Sequence, residues 1–417
     1  MNPISELETD TSKKFIANRN TGRWVIADRL DDRVIEQISK PAGNIETFTG
    51  TSLVVLNTGR TCNLRCKYCH VGELKKQNED MPIEVGKKAI DRVLELAERD
   101  RHVVFHGSEP FTNLRLLKEL VNYSKGKGEI RFSVQSNGTL FNDSVLNFLS
   151  DSGVVSGVSL DGLRQHQDAT RPYANGSSTY ERIIDRIFPL IERQGGLSVI
   201  TVVSKYNVND LEAIADDFES RGIESVLFSL LYPPKQDPSL APDNRLLFDN
   251  MKTVLDKYIE RTVSGEHPIK IRNLRDNLRT FFKEKKTYNC VQCGGGETHP
   301  LVAIDVDGSI YPCDFFWGRE EYRIGNIFDN SLKESFNSPN NLRISRSLDR
   351  IDDCYNDCDW VRFCGGGCPG GSTVGERGIA SKSIYCDYYK ELFKYVAGKI
   401  PFLHEKRLIG KILEIEN

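Results

Sequence analysis

Eleven cysteines carry most of the chemistry open to this sequence, and they are clustered. Cys62, Cys66 and Cys69 form a tight Cys-x3-Cys-x2-Cys group; the next 220 residues contain none; Cys290, Cys293, Cys313, Cys354, Cys358, Cys364, Cys368 and Cys386 crowd the last third. Thiolates are soft ligands that suit zinc and iron–sulfur clusters. Three of them can hold a 4Fe-4S cube and leave its fourth iron open to a substrate. A tetrahedral zinc ion wants four ligands, and His70 would have to supply the last. The eight C-terminal cysteines make two sets of four, for which zinc and iron–sulfur fit equally well on spacing alone. With the first three, these sets account for every thiol. The start, MNPISELETDTSKK, lacks the apolar core of a signal peptide, so the cysteines read as ligands in a cytoplasmic protein rather than as disulfides.

These residues need a scaffold, and 417 residues at 39% hydrophobic predict two or three domains with ample core. The balance of 56 basic and 59 acidic residues shows no footprint for nucleic acid or an anionic membrane. No apolar run approaches the roughly 18–20 residues that span a bilayer. Six β-branched or aromatic runs of buried-strand length lie at 52–58, 102–107, 130–137, 154–160, 197–204 and 225–232. Helical segments separate them: 82–100 behind Pro82, and others starting at Asn113, Asn142 and Asn209 as N-caps. Six alternations predict right-handed βαβ units and an α/β fold, a partial (β/α)6 TIM-like barrel whose chemistry sits at the carboxyl ends of the strands. Residues 14–40 read as strand, Asn20-Thr21-Gly22 turn, strand and short helix, either a lid or an edge extension of the sheet. Phe15, Ile16, Trp24, Val25 and Ile26 there permit strand addition by a peptide. Residues 244–263 look helical, and no repeat or low-complexity tract occurs.

Cys62-x3-Cys66-x2-Cys69 after the first strand of such a barrel resembles the radical S-adenosylmethionine (SAM) superfamily. His-Gly-Ser-Glu-Pro at 106–110 is similar to that family's Gly-Gly-Glu segment, with Ser108 in place of the second glycine. The resemblance implies that Gly107, Ser108 and Glu109 meet the methionine amino group. It also implies that Ser136, Asn137 and Ser159 meet the ribose and methionine portions, and that Arg171 pairs with the carboxylate, a task suited to a bidentate guanidinium. Residues 307–316 and 322–327, with the cysteines around them, resemble the SPASM extension of peptide-modifying radical enzymes, which carries two auxiliary 4Fe-4S clusters.

By that pattern Cys290, Cys293, Cys313 and Cys368 would hold one auxiliary cluster, and Cys354, Cys358, Cys364 and Cys386 the other, giving three clusters with that of Cys62, Cys66 and Cys69. Gly294–Gly296 and Gly365–Gly367 would let backbone N–H groups approach the sulfurs; neither run matches a phosphate-binding loop. Asp314 matches the position that in anaerobic sulfatase-maturating enzymes takes a proton from substrate; a hydrogen-bonded acid in a turn is the alternative. The implied architecture is an N-terminal extension (1–48), the barrel (49–240), a helical linker (241–285), the SPASM domain (286–390) and a C-terminal helix (391–417). The implied function is a peptide maturase that oxidises, cross-links or cuts a precursor peptide or protein, with flavodoxin or ferredoxin as electron donor. Formylglycine formation on a sulfatase, or action on a small metabolite, are the alternatives.

Overall fold

The computed structural model describes residues 4–18, 23–40, 53–72, 79–98, 101–282, 301–345, 352–374 and 378–413. Three short strands come first: β1 (Ile4–Glu8), β2 (Lys14–Asn18) and β3 (Trp24–Ala27). The six expected strands follow as β4 (Leu53–Asn57), β5 (His102–His106), β6 (Arg131–Ser136), β7 (Val155–Ser159), β8 (Ser198–Val203) and β9 (Ser225–Leu230). They pair in sequence order and all in parallel, the architecture of a partial barrel. Helices Ile83–Leu94, Leu114–Ser124, Asp143–Ser152, Tyr180–Gln194 and Leu211–Ser220 lie between successive strands. Their apolar stripes face the sheet: Ile90, Leu117, Leu120, Ile183, Leu211 and Ile214 are fully buried, each contributing about 1.5–3 kcal/mol by leaving water.

The helix starts show why local sequence sufficed in most places. The Asn113 side chain accepts from Leu116 N at 3.2 Å and Asn142 from Val145 N at 3.0 Å, each satisfying an orphan first-turn donor. Asn209 does not cap. It lies in the 3-10 turn Val208–Asp210 before helix Leu211–Ser220, and no side chain caps that helix. Asn207 sets the entry instead, accepting from Ser204 N at 2.7 Å and donating to the Asp161 and Val202 carbonyls at 2.9 Å.

The sheet extends past the six strands at both ends. β10 (Lys270–Ile271) adds in parallel to β9. β11 (Leu301–Ile304) adds in parallel to β4 and leads into antiparallel β12 (Ser309–Tyr311) and β13 (Gly325–Asn326). The stretch expected as a helical linker thus contributes a strand between helices Asn244–Val263 and Arg272–Phe282, and the cysteine-rich part shares its sheet with the barrel. Just past β11, the Asp305 carboxylate takes Arg60 Nη2 at 3.0 Å and Asn57 Nδ2 at 2.7 Å, with both members of the ion pair buried.

β1–β3 form a separate antiparallel sheet, so the N-terminal segment is not an edge extension of the barrel; residues 20–22, the expected turn, lie outside the described residues. Its apolar side chains are committed inward. Phe15 stacks on Trp24 at 5.2 Å and Trp360 at 6.4 Å, and the Trp24 indole donates to the Phe281 carbonyl at 2.7 Å. Phe15 and Ile16 are fully buried, which is why this segment left the barrel's edge for the aromatic cluster. Among the described residues no helix is long and apolar enough to cross a membrane.

Asp305→Ala would leave the buried Arg60 guanidinium, among the described residues, with Glu79 as its remaining carboxylate partner. Loss of one partner from such a pair is expected to cost about 3–5 kcal/mol, measured as a lowered midpoint in urea unfolding.

Candidate active site

The loop after β4 presents Cys62, Cys66 and Cys69 at the carboxyl end of the sheet. The segment after β5 is pinned to it: Ser108 N donates to the Gly59 carbonyl at 3.3 Å and Glu109 N to the Thr61 carbonyl at 3.2 Å. Gly107, at φ +114, turns the chain where an added Cβ would lie 2.1 Å from Asn57 Oδ1, so only glycine fits. Ser108 has a negative φ, since Arg407 is the sole non-glycine residue with positive φ among those described. Serine is therefore accepted there without strain.

Glu109 is buried and receives three donors, Ser136 Oγ at 2.9 Å, Asn137 N at 2.7 Å and Phe111 N at 3.2 Å. Burial raises its pKa, while these hydrogen bonds and the charge of Arg171 oppose the rise. Asn137 Nδ2 lies 3.9 Å from Cys62 Sγ and donates to Asn63 Oδ1 at 3.0 Å, coupling the end of β6 to the cysteine loop. Arg171 Nη1 donates to Tyr68 OH at 2.8 Å, and Tyr68 OH donates to Asp161 Oδ2 at 2.6 Å. Burial works against the Arg171 charge, but Tyr68, Cys66 and Asp161 hold its pKa well up. Its Nε is buried without a hydrogen-bond partner among the described residues, a donor left for a bound anion. Ser159 Oγ takes Gln135 Nε2 at 2.9 Å at the end of β7. A buried acid and a buried guanidinium beside one cysteine loop are complementary to the ammonium and carboxylate of an amino acid.

A second polar group joins this end of the barrel to the C-terminal part. Asp314 Oδ2 stands 3.2 Å from His70 Nε2, and His70 follows Cys69 as Asp314 follows Cys313. Burial would raise the Asp314 pKa, but His70 and His106 override it and hold it down at about 2, so the carboxylate is ionised at neutral pH. Burial lowers the pKa of His106, at the end of β5, and the neighbouring Asp314 opposes that shift. Its Nδ1 and Trp317 Nε1 are buried without hydrogen-bond partners among the described residues.

The C-terminal cysteines fall into two places. Cys354, Cys358, Cys364 and Cys386 line one small cavity with Trp360, Ser383 and Tyr389. Burial, and then the charges on Cys358 and Cys386, push the Cys364 thiol up to about 12. Four thiols lining one cavity suit a site completed by metal. Cys313 and Cys368 are both buried; Cys368 Sγ accepts from Gly371 N at 3.2 Å, and a Cβ on Gly370 would lie 3.3 Å from Cys313 Sγ. Cys290, Cys293 and Gly294–Gly296 lie outside the described residues. Among the described residues no three His, Cys, Asp or Glu side chains converge as the ligands of a single ion would.

Two families match this chain. The radical SAM superfamily matches residues 56–218, and the SPASM iron–sulfur cluster-binding domain matches 290–359. A cysteine-type anaerobic sulfatase-maturating enzyme of Clostridium perfringens is 28% identical over 364 residues, 82% of this chain and 95% of that protein. A serine-type anaerobic sulfatase-maturating enzyme of Klebsiella aerogenes is 24% identical over 326 residues, 75% of this chain and 78% of that protein. The solved structure of native anSMEcpe with bound AdoMet and Cp18Cys peptide superposes with a TM-score of 0.71 at 25% identity, covering 87% of this chain and 99% of that one. Streptococcus suis SuiB bound to precursor peptide SuiA shares the fold, with a TM-score of 0.60 at 15% identity over 93% and 99%.

Sequence reasoning passed over Tyr68, Asp161, His70 as a partner of Asp314, and His106. Tyr68 lies inside the Cys62–Cys69 group, His70 directly follows it, and Asp161 stands two residues past Ser159, so position relative to a strand end was the available signal. Cys386→Ala is expected to lower the iron bound on anaerobic reconstitution by about four per chain, counted colorimetrically, with Cys62→Ala giving a separate loss of similar size.

Proposed function

The chain carries a radical SAM domain and a SPASM domain and is related to anaerobic sulfatase-maturating enzymes, and from that premise we propose that it oxidises a cysteine or serine side chain in a peptide or protein substrate to an aldehyde. The observation that carries this is Asp314, an ionised carboxylate 3.2 Å from His70 at the junction of the two cysteine-bearing parts. Its relatives of both cysteine and serine type favour formylglycine formation over cross-linking or excision of a precursor peptide.

We assign Cys62, Cys66 and Cys69 to the cluster that meets S-adenosylmethionine, Cys354, Cys358, Cys364 and Cys386 to one auxiliary cluster, and Cys313, Cys368, Cys290 and Cys293 to the other. When bound, S-adenosylmethionine and the cluster of Cys62, Cys66 and Cys69 would together supply the means of removing a hydrogen atom from the substrate, and the auxiliary clusters an acceptor for the second electron. Glu109 would receive the ammonium of S-adenosylmethionine and Arg171 its carboxylate, with Gly107 and Ser108 beside the ammonium and Ser136, Asn137 and Ser159 along its length. Tyr68 and Asp161 orient Arg171 through the two short hydrogen bonds of the loop. Asp314 would take the proton that the substrate side chain gives up; a serine then yields the aldehyde directly, and a cysteine yields a thioaldehyde that adds water and releases its sulfur as sulfide. Phe315, 4.8 Å from the His70 ring, shields the Asp314–His70 pair. Flavodoxin or ferredoxin would supply the reducing electron.

The test uses reconstituted enzyme, dithionite, S-adenosylmethionine and sulfatase active-site peptides carrying cysteine or serine, with the aldehyde captured by a hydrazide. Asp314→Asn is expected to lower aldehyde yield about 10²-fold while 5′-deoxyadenosine release persists. A peptide cross-linked or cut without aldehyde would move the assignment to precursor-peptide maturation. Equal loss of both products would deny Asp314 the role of base.

A further inference from the structure

The Asp305 carboxylate belongs to the segment matched by the SPASM family, yet it reaches into the turn of the barrel that leads to Cys62. Its Oδ1 accepts from Asn57 Nδ2 at 2.7 Å and from Val306 N at 2.8 Å, and its Oδ2 from Arg60 Nη2 at 3.0 Å. A carboxylate paired with a guanidinium only accepts. The Asn57 amide must therefore turn its NH2 toward Asp305 and its carbonyl oxygen the other way. Asp305 and Asn57 are 1% and 2% exposed, so bulk water offers neither a substitute partner.

The oxygen so directed has two neighbours. Gly59 N donates to Asn57 Oδ1 at 3.3 Å, and the same oxygen fills the space beside Gly107, where an added Cβ would lie 2.1 Å from it. Gly59 and Gly107 belong to the two segments that meet at the candidate site. The Gly59 carbonyl takes Ser108 N at 3.3 Å, and the Thr61 carbonyl takes Glu109 N at 3.2 Å. One amide thus stands where the loop carrying Cys62 and the segment carrying Glu109 are laid side by side, and its orientation is set from the C-terminal part.

We propose that Asp305 is a positioning residue for S-adenosylmethionine binding: acting through Asn57, it holds the 59–61 turn and the 107–109 segment at the spacing that the methionine ammonium needs. This rests on the assignment of Glu109 to that ammonium made above. The binding site in the barrel is then completed by a residue of the cysteine-rich part rather than by the barrel alone. Asp305 touches no ligand atom, yet it sets affinity, because Glu109 is placed by backbone bonds to the turn that Asp305 fixes.

The experiment is equilibrium dialysis of labelled S-adenosylmethionine against the full-length reconstituted protein, with affinity expressed per iron-loaded chain and the urea midpoint measured for each variant. Asp305→Asn offers one carbonyl oxygen where the carboxylate served both Asn57 and Arg60, and Asn57→Ala removes the amide. Each is expected to weaken S-adenosylmethionine binding about tenfold. The double variant is expected to fall well short of the product of the two, because both act along one chain of contacts. Leu255→Ala, a core truncation in helix Asn244–Val263, is expected to lower the urea midpoint and leave the affinity unchanged. Unchanged affinity in Asp305→Asn, effects that multiply in the double variant, or an equal loss in Leu255→Ala overturns the proposal. If either single variant fails to fold, the other decides against Leu255→Ala. Glu109→Gln separates the two readings. Should it leave binding unchanged, the ammonium assignment fails and the proposal with it, whereas binding weakened in Glu109→Gln alone defeats the positioning role and spares the site.

Discussion

The buried contact of Asp305 with Arg60 and Asn57 is the constraint on which the rest of this structure depends. β11 is only four residues long, and although its side chains are all buried beside β4, apolar contact alone leaves its register against β4 loosely specified. With the Asp305 contact, the start of the C-terminal part is fixed to the turn that leads into Cys62. An ion pair so deeply buried contributes little net stability compared with apolar side chains of the same size, but its geometric demand is strict, because either charge left alone is costly. What it supplies is register. Cys313 and Asp314 lie one short strand, β12, beyond Asp305, and so Asp314 arrives opposite His70.

The same end of the barrel shows a division of labour among charges. Glu109 is raised by burial and softened by three donors, Arg171 is held charged by Tyr68 and its neighbours, and Asp314 is held ionised by two histidines. Each of these groups is braced by a residue from a different strand end. This is how a parallel sheet assembles a site from loops far apart in sequence.

The parts of this arrangement that followed from local pattern are those that local physics determines. Six apolar runs of strand length between amphipathic stretches leave few alternatives to a parallel sheet, and Asn113 and Asn142 cap because their side chains serve the next turn. The cysteine groups were visible because ligand chemistry restricts residue type and spacing. β10 and β11 were not visible: two and four residues carry no period, and they exist because the barrel offers open edges to fill. Asn209 had the right residue type, but Asn207 already ordered the turn. The Asp314–His70 contact spans 244 residues of chain, and nothing local announces it.

The N-terminal sheet adds a temporal consequence. Phe15 stacks on Trp360, 345 residues later, and Trp24 donates to Phe281. A chain emerging from the ribosome therefore makes its first strands long before their packing partners exist, and contacts of such sequence separation close late. Trp360 itself lines the cavity of Cys354, Cys358, Cys364 and Cys386. The packing of β2 and β3 is thus tied to the wall of that cysteine pocket, so a change at Trp360 reaches both at once.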